Sequence, residues 1–213
     1  MPRQNQAAPP LSEKAQSTRE RILSAALTLF SQKGYLGATT REIAAEAGVA
    51  ELTLFRHFPR KELIMEEIMR TRSALSAVRD VMPEVRKLPC DEALFSIAGV
   101  FLATLRERRD LVKIFLAECS RYPEQVKTMH VSFMVELFET LASYLRELQK
   151  KKIIRRIELT SAAQAFFGIF YAYFISREIL GFSDASGISE EENMRNYIDV
   201  FIHGIKGAAY GKR

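Results

Sequence analysis

The residue types suited to specific chemistry gather in one short stretch. Between Ala50 and Phe58, Leu54 and Phe58 mark the inward side of a short helix, which leaves Glu51, Leu52, Thr53, Arg56 and His57 facing out. Carboxylate, hydroxyl, guanidinium and imidazole groups on one face bond phosphate oxygens and read the donor and acceptor pattern of base edges. This is recognition rather than bond making. Nowhere does the sequence hold a Gly-x-Ser-x-Gly elbow, a phosphate-binding glycine loop or a His-Glu-x-x-His motif, so no enzyme is expected. His57, His130 and His203 share no ligand spacing with Cys90 and Cys119, so neither a metal site nor a cofactor is expected. The two cysteines form no disulfide framework and fit a reducing, cytoplasmic setting.

A reading face must be held by other elements, and the surrounding pattern supplies them. A helix is expected over Thr18–Lys33, with Ile22, Ala25, Ala26, Leu29 and Phe30 at helical spacing and Gly34 ending it. Thr39-Thr40-Arg41-Glu42 has the capping-box form and opens a second helix whose buried side is Ile43, Ala44 and Ala47. Gly48-Val49 interrupts it, the short helix described above follows, and Pro59 stops that one. Helix, capped short helix, glycine turn and second short helix make a helix-turn-helix, in which the last helix enters the major groove. Charge agrees. Residues up to Lys61 hold nine Lys/Arg and five Asp/Glu, and carry most of the net charge of +5 on a 213-residue chain. A basic segment on a near-neutral body fits an anionic partner.

Helical periodicity continues throughout, and the predicted class is all-α. Further helices are expected from Lys61 to about Val81, and near 91–106, 110–120, 123–151, 159–180 and 190–206, with a loop at 181–189. Residues 1–16, with Pro9-Pro10, read as a flexible tail without a secretory signal. The most apolar stretch, Ala162–Ile175, is too short to span a bilayer and reads as a buried helix, so no membrane partner is expected.

The run from Arg21 through Phe30 to Gly34-Tyr35, then Thr39-Thr40-Arg41-Glu42-Ile43-Ala44, Ala47-Gly48-Val49, Thr53-Leu54-Phe55-Arg56-His57-Phe58 and Lys61-Glu62-Leu63, resembles the tetracycline-repressor (TetR) family over about 45 contiguous residues. The resemblance implies a three-helix DNA-binding head over 17–77 and a helical body over 78–213 that dimerises and binds a small effector. It implies that Thr39, Thr40 and Arg41 lie at the DNA contact, with Thr40 and Arg41 reaching phosphate or a nearby base. Glu51 and Leu52 would read bases, Thr53, Phe55 and His57 touch phosphates, Arg56 reach a base, and Lys61 meet the backbone. Three positions depart from the family pattern. Ala50 replaces the usual Ser, a lost N-cap hydroxyl that typically costs about 1 kcal/mol. Leu52 replaces Gly and is able to contact a thymine methyl, and Phe55 replaces Tyr, removing one phosphate hydrogen bond.

Aromatic stripes fill the body. An effector pocket is expected among Phe101, Leu105, Phe115, Phe133, Phe166 and Phe170, with Glu118, Tyr122, His130 and Gln164 as polar members. Glu118 would neutralise a lipophilic cation. The last two helices are expected to form a dimer seam through Phe166, Ile169, Phe170 and Tyr173 and through Tyr197, Phe201, Gly204, Ile205 and Ala208, giving a four-helix bundle. A two-fold protein matches a palindromic double-stranded operator. The expected function is a homodimeric repressor released from DNA by a lipophilic or aromatic effector through a population shift. The competing reading is a helical small-molecule-binding protein without DNA function.

Overall fold

In the computed structural model, residues 13–182 and 187–205 are described, and all regular structure among them is helical. The elements are α1 (Glu13–Gly37), α2 (Thr40–Glu46), α3 (Glu51–His57), α4 (Lys61–Thr71), α5 (Ala74–Val85), α6 (Cys90–Glu107), α7 (Arg109–Glu118), α8 (Glu124–Lys150), α9 (Leu159–Phe174) and α10 (Glu190–Ile205). Residues 1–12 of the expected tail and the seam residue Ala208 lie outside the described residues, whereas residues 13–16 already belong to α1.

The head forms as the pattern dictates. Ile22, Ala26 and Phe30 of α1 pack on Ile43 and Ala44 of α2, Leu54 of α3 and Ile64 of α4, each 2% exposed or less. Gly34 breaks α1 with φ 77° and ψ 167°, a region open essentially to glycine alone. The expected single helix from Lys61 to Val81 is two. Arg72 leaves helical geometry (φ −132°, ψ 28°), and Ser73 caps α5 by accepting a hydrogen bond from the Ser76 N–H.

The body core is built by α5, α6, α8, α9 and α10. Phe166, Phe167, Phe170 and Phe174 of α9 are buried at its centre. With the wide turn Ile175–Ile179 that follows, this run is long and apolar enough to cross a membrane by length and composition. In the fold it packs against α6, α8 and α10, which accounts for its apolar character. Arg106 of α6 fastens the wide turn to α10, bonding Glu178 at 2.9 Å and Glu190 at 2.8 and 2.6 Å.

The two cores interlock. Tyr122 and Val126 of the body are buried in the head's cluster, and α7 lies along α1. Tyr35 at the end of α1 sits edge-on to Tyr122, with ring centroids 5.7 Å apart.

Candidate nucleic-acid interface and effector cavity

The start of α2 is fixed by side chains. At α2, the Thr39 hydroxyl accepts from the Glu42 N–H at 3.2 Å, and the Glu42 carboxylate accepts from the Thr39 N–H at 2.9 Å. The Glu42 carboxylate also meets Lys33 Nζ at 2.7 Å. The bond from Lys33, followed by those from Thr39, holds this carboxyl at a pKa of about 2. Thr40 donates its hydroxyl to Glu51 at 2.9 Å, so the first turn of α2 is tied to the first turn of α3. At Ala50 no side chain caps α3, as the missing Ser implies. Glu51 in the first turn, with Arg56 and His57 in the last, complements the helix dipole instead.

Two arginines that sequence reasoning passed over lock the turn. Arg21 donates to the carbonyls of Ala47 and Gly48, both at 3.0 Å. Arg19 lies over the Phe58 ring at 4.2 Å and pairs with Glu67 at 3.2 Å. Their signal was a position on α1 one face away from the core stripe, which a search for outward-facing readers ignores.

Against this internal pairing, the outer face of α3 stands out. Leu52 is 66% and Phe55 39% exposed. Arg56 beside them, Arg41 on α2 and Arg60 at the start of α4 are exposed, and none has a hydrogen-bond or ion-pair partner among the described residues. Thr53 and His57 are half-buried at its edges. Arg60 was also missed by sequence reasoning; its place directly after Pro59, on the same side as the end of α3, was the available signal. Lys61 does not join this face. Its ammonium donates to the carbonyls of Tyr35 at 2.8 Å and Ala38 at 2.9 Å and sits 4.4 Å from the Tyr35 ring centroid. Burial pulls its pKa down. The Lys61 ammonium is engaged here because the end of α1 presents carbonyls that need a donor.

Below the head, α4–α9 enclose a cavity of about 370 Å³. Phe101, Leu105, Phe115, Tyr122, His130, Phe133 and Gln164 line it as expected. Phe166 and Phe170 do not. They are fully buried on the other side of α9, packed on Phe201 (5.2 Å) and Tyr197 (6.2 Å), and Phe167, Gly168 and Tyr171 face the cavity in their place. Glu118 is not in the wall either. Its carboxylate lies against Gly34, where a Cβ would collide with it, and its Oε2 is buried with no hydrogen-bond partner among the described residues. His130 lies against Phe115, with ring centroids 4.3 Å apart, and burial pushes its pKa below the ordinary value.

The expected seam residues divide the same way. Phe166, Phe170, Tyr173, Phe201 and Ile205 are each 7% exposed or less and belong to the protomer's own core. Away from the cavity, the small or apolar residues that α9 and α10 leave exposed include Ala165, Ala172, Val200 and Gly204, with Ile169 and Tyr197 half-buried.

Comparison with known proteins decides the family. Residues 22–68 match the family described as bacterial regulatory proteins, tetR family, and residues 92–204 match the AefR-like transcriptional repressor C-terminal domain. The chain is 31% identical over 189 residues to the HTH-type transcriptional regulator YvkB of Bacillus subtilis, covering 88% of this chain and 97% of that protein. This chain belongs to the TetR family. The HTH-type transcriptional regulator UidR of Escherichia coli is 26% identical across 93% of this chain and 98% of its own length. Among solved structures, the transcriptional regulator FadR from Bacillus subtilis in complex with stearoyl-CoA superposes with a TM-score of 0.70 at 17% identity, covering 87% of this chain and 98% of that one. The TetR-family chain is thus an all-α helix-turn-helix transcriptional regulator, and such regulators bind DNA and small effectors, typically as dimers.

Proposed function

We propose that this protein is a cytoplasmic homodimeric repressor that grips a palindromic operator through α3 and lets go when an effector fills the cavity. One observation carries the reading. Most charges of the head are paired internally, whereas Arg41, Arg56 and Arg60 are exposed with no partner among the described residues, and α3 leaves Leu52 and Phe55 exposed beside Arg56. Unpaired guanidiniums around a short, partly apolar helix suit phosphates at the groove edge and a thymine methyl within it. Thr40 and Glu51 hold one another, so they position α2 on α3 and contribute to recognition from that position.

The exposed strip of Ala165, Ala172, Val200 and Gly204 is the proposed dimer seam, since its mostly small residues let helices from two chains approach closely. The cavity is the proposed effector site, in line with the acyl-CoA held by the structurally similar FadR.

Selection of duplexes from a random pool, followed by fluorescence anisotropy on the winner, tests this. Arg41→Ala is expected to weaken every duplex alike, whereas Leu52→Ala changes the preferred sequence. Arg56→Ala is expected to cost about 1–3 kcal/mol and relax preference at one base pair. Recovery of no preferred duplex would overturn the reading.

A further inference from the structure

The chemistry of the cavity wall is asymmetric. It is mostly apolar, with Met65, Ile68, Leu75, Phe101, Phe115 and Phe133 among its members, yet two arginines, Arg72 and Arg108, belong to it. No Asp or Glu does, and burial disfavours the charged form of His130. Both arginine side chains are largely withdrawn from water, at 21% and 23% exposed. Their partners are not: Glu20 is 58% and Glu107 64% exposed. Pairs with solvent-facing carboxylates are weak and exchange readily, whereas an anion brought to a guanidinium in a drier setting is held more strongly.

Position gives these arginines a second property. Arg72 sits at the break between α4 and α5, and Arg108 at the break between α6 and α7. Arg72 reaches from the cavity wall to the head, donating to Glu20 at 2.6 Å and to the Ser24 hydroxyl at 3.1 Å, both on α1. Arg108 Nε lies 3.5 Å from the Arg72 carbonyl oxygen. The Arg72 residue therefore belongs both to the wall of the effector cavity and, through its guanidinium, to the clasp that holds α1.

We propose that the effector is an apolar molecule bearing one anionic group, that Arg72 and Arg108 receive this group, and that it competes with Glu20 for Arg72. Binding then loosens the Arg72 clasp on α1 and frees the head to leave the geometry that fits two successive grooves. The inference rests on the effector role proposed for the cavity. It replaces the expected lipophilic cation with an anion, because Glu118 points at Gly34 and the wall carries only positive formal charge.

The test is calorimetric titration of the full chain with three probes of equal chain length, dodecanoate, dodecan-1-ol and dodecylamine, each below its aggregation concentration. Dodecanoate is expected to bind at least about tenfold more tightly than the other two. Arg108→Gln and Arg72→Gln are each expected to remove about tenfold of dodecanoate affinity while leaving dodecan-1-ol unchanged. Glu20→Gln, at an exposed position that folding tolerates, is expected to tighten dodecanoate binding by about threefold, since it removes the competitor. Equal binding of the three probes, preference for the alcohol or the amine, or binding of none overturns the anionic assignment. Unchanged dodecanoate affinity in Glu20→Gln overturns the competition. Anisotropy on the selected duplex is read separately: a duplex that binds but is not released by dodecanoate contradicts this inference alone, and absence of any bound duplex contradicts the regulator reading.

Discussion

Glu42 shows how much of the head rests on single polar groups. Its carboxylate is held near a pKa of about 2 by Lys33 and Thr39, against an ordinary 4.5. A folded-state pKa below the unfolded one means that the unfolded chain takes up the proton first as pH falls. Stability from this group is complete above about pH 4.5 and is lost between there and about pH 2. Acid titration followed by circular dichroism should therefore show a destabilisation in that window that is smaller in Glu42→Gln. Thr39→Ala removes the other half of the box and should cost about 0.5–2 kcal/mol in denaturant melts. Gly34 is stricter still. Its φ of 77° with ψ 167° strains any side chain, and a Cβ would also strike the Glu118 carboxylate. Gly34→Ala should cost about 1–3 kcal/mol, only partly recovered by adding Glu118→Ala. The capping box and the glycine break were legible because each is a local signal. The surroundings of Glu118 and Lys61 were not, because both depend on partners that come together only on folding: α7 laid along α1, and the carbonyls of Tyr35 and Ala38 turned toward α4.

At the scale of elements, periodicity located the helices, and what it missed was orientation and punctuation. The rows of α9 are apolar on nearly every side, so Phe166, Phe167 and Phe170 are equivalent by composition. Only the packing of α10 on one side and the cavity on the other separates them. The break at Arg72 escaped notice because the apolar spacing runs on from α4 into α5, and Ser73 as a cap was the signal to weigh. The end of α8 offers a clean test. Lys152 there has φ 59°, with its N–H bonded to the Gln149 carbonyl and the Ile153 N–H to that of Leu148, both at 3.0 Å. This is the helix-terminating motif that favours glycine. Lys152→Gly is expected to stabilise the body by about 1 kcal/mol or less, read as a higher denaturant midpoint with unchanged slope.

Across the whole molecule, the head and body form one connected packing unit. Phe30, Tyr35, Tyr122, Phe115 and His130 make a continuous file of ring contacts, with centroids 4.3–5.7 Å apart, from the core of the head to the cavity wall. Under the proposed effector role, a molecule entering the cavity would press on a wall that the head shares, and so bias the arrangement of the head. The division of the chain into a basic reader and an aromatic body was legible in charge and composition. Their interlock was not, because Tyr122 and Val126 contribute to the head core from far along the sequence. His130 gives this region a pH signature. Its pKa is lowered by burial, so the unfolded chain binds a proton that the folded chain resists, and stability falls as pH drops below the ordinary value of about 6.5. His130→Phe should flatten that decline.

If two copies of the α3 face grip one duplex, sedimentation of the full chain with a selected duplex across a series of salt concentrations will show it. Two protomers per duplex are expected, with an affinity that falls steeply with salt and a shallower slope in the Arg41→Ala and Arg60→Ala variants. A single protomer per duplex, or an affinity that the arginine variants and salt leave unchanged, would contradict it.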